Sequence, residues 1–74
     1  MSNSFIVVVY DPTVEDLAII REWLDLPKLV KISGKVRVKI PKGSTTKDGK
    51  ETMLQGYCGL LKMLHVRYDY SEEK

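Results

Sequence analysis

The sequence predicts a small α+β domain of the βαββαβ, ferredoxin-like type, an antiparallel sheet with its helices on one face. Three observations predict it. An apolar, β-branched run opens the chain, a capped amphipathic helix follows, and two later stretches alternate polar with apolar residues. With 74 residues, 43% of them hydrophobic and 30% charged, residues 1–74 form one globular domain. So short a chain buries only roughly 60% of the surface its unfolded form exposes, which leaves little room for an enclosed active-site cavity.

Ser4-Phe5-Ile6-Val7-Val8-Val9-Tyr10 shows almost no polar alternation, as expected of a central strand covered on both faces, or nearly so. Asp11-Pro12-Thr13 ends it. Asp11 can cap a helix that has Pro12 at its first position. Thr13 is the alternative cap, with Asp16 three residues on in a capping-box arrangement. Glu15 and Asp16 suit the positive end of the helix dipole. The helix is expected to run to about Leu26, before Pro27. Leu17, Ile19, Ile20, Trp23 and Leu24 gather on one face, and Glu15, Arg21, Glu22 and Asp25 on the other. Trp23 is expected to pack onto the sheet.

Residues 29–32 and 36–40 are the next two strands. In the second, Val36, Val38 and Ile40 point one way and Lys35, Arg37 and Lys39 the other, giving one buried and one cationic face. Ser33-Gly34 between them suits a tight hairpin turn, because glycine tolerates positive φ. Residues 41–50 form a polar loop rich in breakers, the segment expected to be most mobile. Met53, Leu54, Tyr57, Leu60, Leu61 and Leu64 then recur at helical spacing and predict a second helix over about 51–61. Gly56 and Gly59 oppose it, at about 1 kcal/mol each relative to alanine, although small residues also let a helix lie close to a sheet. Were that stretch extended instead, a β-α-β-β-β arrangement would remain. Residues 64–70 alternate again and form the last strand, with Leu64, Val66, Tyr68 and Tyr70 on one face, and 71–74 are a frayed tail.

Residues able to do chemistry are scarce. Nucleophilic hydrolysis wants a serine or cysteine beside an oriented histidine. This chain has one histidine, His65, and one cysteine, Cys58, on different expected elements. One of each cannot close a structural zinc site. Gly34, Gly43 and Gly49 fit neither nucleotide-binding glycine motif. The expectation is a protein that is not an enzyme and has no catalytic residue, metal or cofactor. A lone cysteine excludes an intrachain disulfide and fits a reducing compartment. The longest apolar run, residues 5–10, falls far short of the ~20 residues that span a bilayer. Residues 1–4 carry no lysine or arginine, unlike a secretory signal. A cytoplasmic protein without a membrane role is expected.

Charge is segregated. Residues 1–27 hold five acids and one base, residues 28–50 hold eight bases and one acid, and residues 51–74 hold three bases and four acids. Lys35, Arg37 and Lys39 form a cationic row, with Lys28, Lys31 and Lys42 around it. Such a row suits phosphates or an acidic protein patch. It also suits an edge strand kept from aggregating by its lysines, but eight bases in 23 residues exceed that need. No aromatic platform for base stacking is evident. A molecule with an acidic helix and a basic hairpin is better matched to a protein partner of mixed electrostatics than to duplex coating. A nucleic-acid-binding module using residues 28–50 is the alternative, and a homodimer through edge strands or the Tyr68/Tyr70 face is a third reading.

Taken whole, including Phe-Ile-Val-Val-Val-Tyr-Asp-Pro-Thr-Val-Glu-Asp at 5–16 and the basic hairpin at 28–42, the chain resembles small lytic-phage proteins that bind host RNA polymerase. The resemblance lies in size and charge layout over the full length. It implies a larger protein partner, RNA polymerase, inhibited without chemistry by occupation of a site. It carries no site residues over, because no shared motif anchors them.

Overall fold

In the computed structural model, residues 3–73 are described. Five elements follow one another: β1 (Ser4–Tyr10), α1 (Val14–Leu24), β2 (Lys35–Pro41), α2 (Met53–Met63) and β3 (Arg67–Glu72). The three strands make one antiparallel sheet in the order β2-β1-β3. The domain is therefore a small α+β fold of three strands and two helices. The element order is β-α-β-α-β, neither the four-stranded arrangement nor the β-α-β-β-β alternative.

The strand expected at residues 29–32 does not form. The turn beyond it does: Ser33 and Gly34 both have positive φ, 53° and 77°, and Ile32 and Lys35 exchange backbone bonds of 2.8 and 3.0 Å. Pairing then stops at that single bridge. The cause lies upstream. The Leu29 carbonyl accepts a 2.6 Å bond from Arg21 Nε of α1, and the Leu29 side chain packs against the core. Those contacts hold residue 29 against the end of α1 and keep the segment from running along β2.

The helices start as local chemistry dictates. Thr13 is the N-cap of α1. Its hydroxyl accepts from the Asp16 N–H at 3.0 Å, and the Asp16 carboxylate accepts from the Thr13 N–H at 3.4 Å. Asp11 is not the cap. It sits at φ 49° and donates its N–H to the Gly34 carbonyl at 2.7 Å, which ties the end of β1 to the turn before β2. Thr52 caps α2, so the second helix forms despite its glycines. After Leu64, His65 takes a left-handed φ of 57° and reverses the chain into β3. His65 thus stands in a turn, not on the expected strand. β3 also runs further than expected. Ser71 and Glu72 pair with Ile6 and Phe5, and the Glu73 N–H donates to the Ser4 carbonyl. Residues 71–73 are sheet-bound instead of a frayed tail, and Lys74 lies outside the described residues.

The core forms between the helices and one sheet face. Val7 and Val9 of β1 and Val36, Val38 and Ile40 of β2 meet Leu17 and Ile20 of α1 and Tyr57 and Leu61 of α2. Trp23 packs against this core and stacks on Tyr57, with ring centroids 5.8 Å apart, and so joins helix to helix. The polar loop at 41–50 is organised by hydrogen bonds. Thr45 bridges Thr52, the Met53 N–H donates to Ser44 O, and the Asp48 carboxylate accepts from the Thr46 hydroxyl and the Lys50 N–H. Those bonds hold the Asp48 carboxyl below the usual carboxylate range.

One core group is at odds with its surroundings. Tyr57 is fully buried, and its hydroxyl has no hydrogen-bond partner among the described residues. Burial pushes its phenol far above the ordinary tyrosine range. A buried, unsatisfied hydroxyl costs about 1–3 kcal/mol. Tyr57→Phe keeps the ring and its stacking on Trp23, and is expected to raise stability by about 1 kcal/mol. Chemical denaturation checks this, and a lower midpoint in the variant would contradict it.

Candidate functional site

Register decides which side chains meet. Val36, Val38 and Ile40 of β2 are buried, while the alternate residues Lys35, Arg37 and Lys39 are exposed. Their partners across the ladder are Tyr10, Val8 and Ile6 of β1. On the far side, Tyr10, Val8 and Ile6 face Arg67, Asp69 and Ser71 of β3. Directly paired residues project to the same face. The sheet therefore has a second face, opposite the core, carrying three cations on β2, a half-buried apolar row on β1 and a mixed row on β3.

β1 is covered in full on one face and only in part on the other, where cover on both faces, or nearly so, was expected. Ile6, Val8 and Tyr10 are half-buried, yet they take no part in the core. Both helices lie on the other side. Long lysine and arginine stems can shade such a row while their charged ends stay in water. Tyr10 is the extreme case: Lys35 Nζ lies 5.6 Å from its ring centroid and the Arg67 guanidinium carbon 5.1 Å. A cation at this distance from an aromatic ring is attracted by about 0.5–1 kcal/mol at an exposed site.

The six basic residues singled out by sequence separate into three groups. Lys35 and Arg37 are exposed and form no ion pair among the described residues. Lys39 shares their face but pairs with Glu73 at 3.0 Å. Lys42 stands at the end of β2, paired with Glu72 at 3.1 Å and 5.3 Å from the Phe5 ring centroid. Both pairs are well exposed, and such pairs contribute only about 0–1 kcal/mol, so neither lysine is strongly committed. Lys28 and Lys31 are exposed in the irregular segment before β2. They lie outside the sheet, because the strand expected there is missing. Glu15, Glu22 and Asp25 of the α1 region are exposed and pair with none of the six.

Sequence reasoning missed Tyr10, Arg67, Ile6 and Val8 as members of this face. Tyr68 and Tyr70 lie on the side of Val9 and Val7, so Tyr10 is the aromatic that reaches the cationic row. Cys58 and His65 do not assemble into a nucleophile and base. The Cys58 thiol is pushed up by burial, the reverse of activation, and its hydrogen-bonding neighbour is Tyr68. Among the described residues, no group of three or more His, Cys, Asp or Glu side chains could hold a metal ion, and no helix is long and apolar enough to cross a membrane. Comparison with protein families, curated proteins and solved structures gives no match for this chain.

Proposed function

We propose that this chain is a non-enzymatic protein-binding module that regulates a larger partner by occupying a site on it, with the open sheet face as the contact surface. One observation carries the reading. Lys35 and Arg37 are exposed and unneutralised, and they stand beside a half-buried apolar row that no helix covers. Cations left uncompensated within their own fold suit a complementary anionic surface, which sets both specificity and encounter rate. The acidic side of α1 gives the molecule a second pole, which orients approach. The resemblance to small lytic-phage inhibitors supplies a concrete partner, host RNA polymerase, hindered sterically. We read the fold as a ferredoxin-like sandwich whose second strand is reduced to the Ile32–Lys35 bridge, since β2-β1-β3 is the order left when that edge strand is removed.

The test is binding of the labelled chain to purified bacterial RNA polymerase, read by fluorescence anisotropy at low and high salt. Lys35→Glu combined with Arg37→Glu is expected to weaken binding roughly 10- to 100-fold at low salt, and less at high salt, where charges are screened. No binding by the unmodified chain would remove RNA polymerase as the partner. Equal affinity of variant and parent would remove the cationic face.

Tyr10 between Lys35 and Arg67 favours one second reading, a single-stranded nucleic-acid contact that stacks a base on the ring while the cations meet phosphate. A gel shift with single-stranded oligonucleotides at low salt that Tyr10→Ala abolishes would select it over the protein partner.

A further inference from the structure

The outer edge of β2 has a feature that the cationic face alone does not explain. In an antiparallel ladder, successive residues turn their backbone N–H and C=O to opposite sides. Lys35 exchanges both of its bonds with Ile32, so its backbone groups point away from β1. By alternation those of Arg37 and Lys39 point the same way, and those of Val36, Val38 and Ile40 point to β1. The flanking bonds agree: Gly34 O accepts from Asp11 N–H and Lys42 N–H donates to Asn3 O, both on the β1 side.

The outward groups at either end are already satisfied. Ile32 takes those of Lys35. Pro41 has no N–H, and its carbonyl accepts from the Ser44 hydroxyl at 2.6 Å and the Ser44 N–H at 3.3 Å. Between these stops, the N–H and C=O of Arg37 and Lys39 have no backbone partner on the outer side among the described residues. They form a short slot, bounded at both ends, where the missing edge strand would have paired.

We infer that this slot takes an extended acidic segment of the protein partner, added to the sheet as a strand beside β2. Strand addition draws affinity from main-chain hydrogen bonds and specificity from alternate side chains. Side chains of an added strand opposite Arg37 and Lys39 project onto the open face, next to the cationic row, and there carboxylates are favoured. A second copy of β2 is the wrong occupant. Antiparallel self-pairing about Arg37 sets Arg37 against Arg37 and Lys35 against Lys39, and like charges directly opposite are destabilising. The same lysines that guard the edge from its own kind thus select an acidic strand. This inference rests on the reading of the cationic face as the contact surface.

The probe is a blocked peptide alternating glutamate with valine, compared with its lysine–valine counterpart, and the readout is amide hydrogen exchange by NMR. With the glutamate peptide at up to about 1 mM, the Arg37 and Lys39 amides are expected to exchange at least ~10-fold more slowly, while Val36, Val38 and Ile40 stay unchanged. Lys39→Pro removes one outward N–H without touching the β1 ladder, and Lys39→Ala removes the charge but keeps the N–H. Proline is expected to weaken the peptide more than about 10-fold and alanine less than about 3-fold, with Val38 and Ile40 protection reporting that the sheet is intact.

Unprotected Arg37 and Lys39 amides in the parent chain would overturn the inference. So would equal protection by the lysine peptide, equal weakening by alanine and proline, protection by a single-stranded oligonucleotide alone, or self-association that protects the same amides without peptide. If the Lys35/Arg37 reversal weakens RNA polymerase binding while the glutamate peptide leaves these amides exposed, the contact face stands and strand addition fails. If the peptide binds and the unmodified chain does not bind the polymerase, the slot stands and the choice of partner fails.

Discussion

Replacing Ile20 with alanine is expected to leave the domain largely unfolded at physiological temperature, whereas the same change at Ile19 is expected to be nearly silent. The two residues are neighbours on α1 and chemically identical. Ile20 is fully buried among β1, β2 and α2 residues, while Ile19 is 42% exposed. Truncating a buried isoleucine to alanine costs about 2–5 kcal/mol, partly in lost transfer energy and partly in the cavity left behind. A core in so short a chain rarely supplies more than about 3–5 kcal/mol of net stability. The loss at Ile20 is therefore as large as the whole. At Ile19 little apolar surface returns to water, alanine is the better helix former, and a change within about 0.5 kcal/mol follows. Urea denaturation followed by circular dichroism reads both. A cooperative transition in Ile20→Ala at a midpoint near that of the parent would show that the helix–sheet core is not where the stability resides.

Gly56 and Gly59 offer the second large contrast, because one substitution should act with opposite signs three residues apart. Both lie inside α2, where glycine is about 1 kcal/mol worse than alanine. At Gly59 a Cβ would meet nothing within 4 Å, so Gly59→Ala should gain most of that amount. At Gly56 a Cβ would sit 2.6 Å from the Thr46 methyl carbon and 3.1 and 3.2 Å from two Trp23 ring atoms. Trp23 cannot withdraw freely, since it stacks on Tyr57, and Thr46 is held by its bonds to Asp48 and Glu51. Overpacking of this kind costs about 1–3 kcal/mol, enough to cancel or exceed the propensity gain. Gly56→Ala should lower stability, and Gly56→Leu should lower it by about 3 kcal/mol. Thermal melts of the single variants measure the pair. A raised melting temperature for Gly56→Leu would refute the close approach of α2 to Trp23.

Much of this architecture was legible in the residues. The β-branched run at 4–10, the Thr13–Asp16 capping box and the strict alternation from Lys35 to Ile40 are local signals, each fixed by backbone sterics or by side chains a few residues apart. The second helix was legible too, since the spacing of Met53, Tyr57, Leu60 and Leu61 outweighed two glycines once Thr52 capped it. The strand at 29–32 was misread because its fate is decided elsewhere. Arg21, eight residues earlier in α1, holds the Leu29 carbonyl, and no pattern within 29–32 records that contact.

The candidate site was legible by half. Alternation alone placed Lys35, Arg37 and Lys39 on one face. Tyr10, Ile6 and Val8 were hidden because β1 reads as apolar throughout, and an apolar residue on an uncovered face looks in sequence like one in a core. Yet an antiparallel sheet with helices on one face, the fold the sequence predicted, already required alternate residues of its central strand to lie on the open side.

Sequence by itself determined the presence of both helices, the turn at Ser33-Gly34, the inward and outward sides of β2 and the concentration of positive charge on one stretch of chain, because all of these depend on residues close together in the chain. Only the tertiary structure decided that the sheet would have three strands, that Lys39 and Lys42 would meet Glu73 and Glu72, that Lys35 and Arg67 would flank Tyr10, and that Arg37 and Lys39 would keep an open backbone edge. Those outcomes hinge on register and on contacts between residues far apart in the chain, where a shift of one position would send every side chain to the opposite face.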